Sequence, residues 1–74
     1  MPSVADLRAK IILNCELSFI DFENFIITVS IMKRGDFSEH TAYVVAGPQR
    51  ATVARATGST AEEALMNLVH ITSF

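Results

Sequence analysis

Few side chains in this sequence of 74 residues are of types that do chemistry, and their spacing limits what they can do. Cys15 is the single thiol, and His40 and His70 are the two imidazoles. A cysteine nucleophile needs a base or a positive surrounding to form its thiolate near neutral pH, so one of the histidines would have to meet it in space. Cys15, however, stands on the apolar side of an alternating segment, where a free cysteine ordinarily serves as a small buried hydrophobe. His70 falls at the end of a helical pattern, a position that suits an imidazole because exposed carbonyls and the helix dipole attract it. His40 follows Ser38 and Glu39 in an expected loop, open to solvent or to a partner. One thiol and two distant histidines make a poor metal site.

The acidic pairs Asp21 and Glu23, or Asp36 and Glu39, would do acid/base work only if their environments differed. They flank expected turns, which makes them solvated strand ends. Gly47-Pro48-Gln49-Arg50 offers turn amides and an arginine to an anion, but it lacks the glycine spacing of a phosphate-binding loop and reads as a hairpin turn. The expectation is a protein without catalytic residues, cofactor or metal.

Composition narrows the class. Half of the residues are hydrophobic and 19% are charged, too apolar for disorder. The most apolar stretch, Ile11 to Met32, is interrupted by Asn14, Glu16, Asp21, Glu23 and Asn24, so no window offers the roughly 20 apolar residues of a membrane span. Six basic residues against eight acidic ones, with a pI near 5.5, disfavour a nucleic-acid partner. Met1 to Asp6 has no secretory pattern, and a lone thiol suits the reducing cytoplasm. A single domain over residues 1–74 is expected, and one so short is marginal without disulfide, metal or association. Association, as a homodimer or with a partner protein, is the route left to it.

The elements that must position these residues are marked by three breaks, Arg34-Gly35-Asp36, Gly47-Pro48 and Gly58-Ser59. Ala61, Ala64, Leu65, Leu68 and Val69 form a helical stripe, and Ser59 with Glu62, or Thr60 with Glu63, supplies a capping box; a helix from about Thr60 to Ile71 is predicted. Phe25 to Met32, Thr41 to Ala46 and Ala51 to Thr57 read as antiparallel strands, with a wide loop from Lys33 to His40 and a hairpin at Gly47-Pro48. At the N-terminus, Ser3 with Asp6 caps a short helical turn, after which Leu13, Cys15, Leu17 and Phe19 alternate as a fourth strand ending near Asp21. The alternative is a longer helix through Leu17 with only three strands. The fold class is therefore α+β, an antiparallel sheet of three to four strands with the C-terminal helix packed on one face.

The segment Arg55-Ala56-Thr57-Gly58-Ser59-Thr60-Ala61-Glu62-Glu63-Ala64-Leu65 resembles the strand-to-helix junction of two families. One is the double-stranded-RNA-binding domain, which implies an αβββα fold and an RNA-contacting loop matched here by Gly35 and His40. That family places lysines at the start of its second helix, where this chain has Ala61, Glu62 and Glu63, the wrong sign for a polyanion. The other is the HicB-type antitoxin, similar in its Ser/Thr-x-Glu-Glu-Ala-Leu segment, which implies a domain that binds and blocks a small RNase toxin.

Together these features predict a small non-enzymatic protein-interaction module, an inhibitor or regulatory subunit of the kind encoded by phages and mobile elements, that masks a partner's surface. The alternative is a nucleic-acid-binding module of the double-stranded-RNA type. The cluster Phe19, Ile20, Phe22, Phe25 and Ile26 is denser than one face of a small sheet can hide. Phe22, Phe25, Lys33, Arg34, Phe37, His40, Arg50 and Arg55 are the candidate partner-binding residues.

Overall fold

The first helix starts where its cap is encoded. Ser3 Oγ accepts from the Asp6 amide at 3.1 Å, and the Asp6 carboxylate accepts from the Ser3 amide at 3.4 Å, so two amides that the first turn cannot bond are satisfied. The computed structural model describes residues 3–73 and orders them as α1 (Val4–Ser18), β1 (Ile26–Arg34), β2 (Phe37–Ala46), β3 (Ala51–Gly58) and α2 (Ala61–Thr72).

The expected fourth strand is not formed. Leu13 to Ser18 continues α1, and the chain takes the arrangement with the longer helix and three strands. The alternation of Leu13, Cys15 and Leu17 is overruled because no glycine or proline interrupts Val4 to Ser18, while Leu7, Ile11 and Cys15 stand four apart and make one buried stripe. Leu13 and Leu17 are left facing outward.

The wide loop from Lys33 to His40 is also corrected. Arg34 pairs directly with Phe37, leaving a two-residue turn of Gly35 and Asp36. Gly35 at φ +61° fits the hairpin turn that has glycine first, whose twist matches its strands, so pairing runs to the turn itself. His40 is consequently a strand residue, opposite Ile31 on one side and Gly58 on the other. The β2–β3 connection is the expected turn at Gly47-Pro48, with Arg50 donating its amide to the Gly47 carbonyl at 3.2 Å.

The sheet is antiparallel in the order β1-β2-β3. Its helix-facing side presents Ile27, Val29, Ala42, Val44, Ala54 and Ala56, which join Leu7, Ile11 and Cys15 of α1 and Ala64, Leu65 and Leu68 of α2 in one core. Small residues set the helix-to-sheet distance. A Cβ at Gly58 would lie 2.6 Å from the Ala64 amide nitrogen, so only glycine lets the end of β3 pass so close to α2.

The second helix has the predicted boundaries to within one residue. Thr60 Oγ1 accepts from the Glu63 amide at 3.1 Å, and the Glu63 carboxylate accepts from the Ser59 amide and hydroxyl at 3.4 and 2.9 Å. Asn14 ties the two helices together, its Nδ2 donating to the Val69 carbonyl at 3.4 Å and to Thr72 Oγ1 at 3.2 Å. Among the described residues no helix packs on the other side of the sheet, where Ser30, Thr41, Tyr43, Thr52 and Arg55 line an open depression.

Candidate functional site

The eight residues singled out from the sequence do not converge. Lys33, Arg34 and Phe37 are exposed at the β1–β2 turn, whereas Arg50 lies in the β2–β3 turn at the far end of the strands, about 30 Å away for a nine-residue strand. Phe22 stands near that far end, beside the turn at Gly47 to Gln49, and Phe25 is half-buried against the core. Arg55 projects from the open side of the sheet opposite Tyr43. His40 is half-buried on the helix-facing side, and its Nδ1 has no hydrogen-bond partner.

The densest apolar exposure falls at the end of α1 and the segment that follows it. Leu13, Leu17 and Ile20 are 55, 58 and 80% exposed, and Phe22 and Ile26 are exposed as well. Leu13 and Leu17 stand one turn apart, giving α1 a second apolar stripe that its own core does not use. The segment is held in place by the Gly47 amide, which donates to the Glu23 carbonyl at 2.8 Å. Between them Asp21 to Asn24, Ala46 to Gln49 and Ala51 border a cleft of about 330 Å³. The cluster anticipated around Phe22 is thus divided: Phe19 and Phe25 pack on the core, while Ile20, Phe22 and Ile26 face out. Leu13 and Leu17 escaped the sequence reading because a strand would have placed them beside Cys15; their four-residue spacing is the signal that identifies them.

The two edges of the sheet differ in their finish. The tight turn makes Arg34 and Phe37 a hydrogen-bonded pair, and the alternation of an antiparallel ladder then directs the amides and carbonyls of Ile27, Val29, Ile31 and Lys33 away from β2. The same alternation directs those of Arg55 and Thr57 away from the sheet on the other edge. Side chains meet two of these groups: Arg8 Nη2 donates to the Ile27 carbonyl at 3.4 Å, and Asn67 Nδ2 to the Thr57 carbonyl at 2.8 Å. Along β3, α2 stands close enough to form a groove lined by Arg55, Ala56, Thr57, Asn67, His70 and Ile71. Beyond Ile27, β1 has no such neighbour among the described residues.

The chemistry-bearing side chains are placed apart. Cys15 is fully buried in the core, and burial raises its thiol above the ordinary value of 9.0. His70 lies in the last turn of α2, as its helical position predicted. Among the described residues no three or more His, Cys, Asp or Glu side chains gather as a metal site would require, and no helix is long and apolar enough to cross a membrane. The order helix, three strands, helix coincides with the order that the double-stranded-RNA-binding resemblance implies. No family model, characterised protein or solved structure matches the chain.

Proposed function

We propose that the protein is a small non-enzymatic interaction module, an inhibitor or regulatory subunit, that acts in the cytoplasm by masking a partner protein and that associates with itself. The observation that carries this reading is the run of exposed apolar residues Leu13, Leu17, Ile20 and Phe22 at the end of α1 and just after it, of which Phe22 lines the cleft at the β2–β3 turn. Exposed apolar groups close together in the chain, with polar Asp21, Glu23 and Gln49 lining the cleft beside Phe22, are what protein contacts use. The reading predicts that the double variant Leu17→Asp with Ile20→Asp keeps its thermal midpoint, since both residues are exposed, and loses a partner that co-purifies in fixed ratio from the native cell. Unchanged co-purification would move the contact elsewhere, and a turnover activity of the isolated chain would end the non-enzymatic reading.

The second reading is a module of the double-stranded-RNA-binding type, favoured by the element order. It is weakened by the tight Gly35-Asp36 turn, which leaves His40 paired in β2, and by Glu62 and Glu63 in the first turn of α2.

A further inference from the structure

A regular edge strand with free amides and carbonyls is a template for another strand, and folded proteins ordinarily cover, twist or interrupt it. Here β3 is covered by α2 and bonded by Asn67, and a bulge at Val44 and Val45 disturbs the ladder next to it. β1 has neither proline nor bulge, and its register with β2 is unbroken from Ile26 to Arg34. The outward groups of Val29, Ile31 and Lys33 have no partner among the described residues. On this same strand Ile31, on the helix side, and Met32, on the open side, are 59 and 52% exposed.

We propose that β1 pairs antiparallel with β1 of a second copy, about a two-fold axis at Ile31, so that the two sheets become one; this rests on the self-association proposed above. The axis follows from the outward groups. Ile31 lies opposite its own counterpart, and Val29 lies opposite Lys33 on either side, each pair exchanging both of its N–H···O bonds. A shift of the axis to Ser30 would set Lys33 against Ile27, whose outward carbonyl already accepts from Arg8. The chosen register leaves that bond intact.

Side chains agree with it on both sides of the sheet. The two Ile31 side chains meet across the axis on the helix side, and Met32 falls opposite Ser30 on the open side, covering apolar surface that the single chain leaves in water. The two Lys33 residues end four positions apart, about 13 Å, beyond the roughly 10 Å over which salt leaves exposed charges coupled. The surface area leaves room for such a contact. The chain exposes 5155 Å², whereas a folded monomer of its mass exposes about 4,500 Å², an excess of roughly 650 Å². One partner in a standard interface buries about 800 Å².

Sedimentation equilibrium of the full chain and of variants at residue 31 tests the register. The wild type is expected at twice 8.1 kDa. Ile31→Lys and Ile31→Glu, each placing like charges on the axis at an exposed position, weaken the dimer by roughly tenfold or more. An equimolar mixture of the two restores it, because only residue 31 faces itself. A monomer at every concentration up to the millimolar range would remove self-association altogether. A dimer untouched by either charge would remove the β1 edge while leaving self-association, and one that both charges break but mixing does not restore would move the axis away from Ile31.

Discussion

At the scale of single residues, Cys15 shows how placement decides chemistry. Its side chain is one of the largest groups with no exposure, and it belongs to a core otherwise made of Leu, Ile, Val and Ala. Because the folded state holds the thiol protonated above its ordinary value of 9.0, the neutral form contributes stability that is complete below the unfolded thiol's pKa. That contribution is lost as pH rises from there through the folded value, since the unfolded chain then binds fewer protons. Urea titrations from about pH 7 to about pH 10 should show stability falling at the alkaline end in the wild type and falling less in Cys15→Ala. Alkylation by iodoacetamide under native conditions should be slow. Rapid modification with retained fold would mean that the thiol is accessible.

At the scale of elements, apolar packing joins the two helices and Asn14 adds a polar tie between them. Asn14 reaches a carbonyl in the last turn of α2, where intrahelical bonding has ended, and Thr72 and Ser73 hydroxyls reach the same Val69 carbonyl at 3.2 and 2.6 Å. Asn14→Ala should cost about 1 kcal/mol in urea unfolding, the ordinary net worth of a part-buried hydrogen bond. Replacing Thr72 by valine in the same background should cost less than it does alone, because both changes remove the Asn14 to Thr72 bond. Strictly additive losses would show that the bond carries no stability. The boundaries of α2 were legible in its residues: Thr60 and Glu63 cap it, and Ala64, Leu65 and Leu68 fall on one stripe. The fate of Leu13 to Ser18 was less legible, because both a helix and a strand bury Cys15 and only α2's position beside α1 makes the helical stripe of Leu7, Ile11 and Cys15 the useful one.

At the scale of the whole molecule, the charge distribution discriminates the two functional readings. Glu62 is the cleaner probe than Glu63, whose carboxylate also caps α2 through Ser59. If the chain binds double-stranded RNA, Glu62→Lys should strengthen that binding and steepen its dependence on salt. If it is a protein-interaction module, fluorescence anisotropy with a labelled RNA duplex should show no saturable binding by either form at physiological salt, and partner co-purification should be unchanged. Of the candidate residues, the exposure of Phe22, Lys33, Arg34 and Phe37 followed from their turns, while His40 was misplaced because Gly35 was read as part of a wide loop rather than as the first residue of a tight turn.

By itself the sequence determined the fold class, the three breaks, the β2–β3 turn and the C-terminal helix, since each rests on short-range spacing, caps and glycine geometry. Tertiary structure decided between helix and strand for Leu13 to Ser18, and it alone decided the passage of Gly58 against Ala64, the separation of the eight candidate residues and the difference between the two sheet edges. Those features depend on which elements end up side by side, and a pattern of residues three, four or two apart carries no record of that.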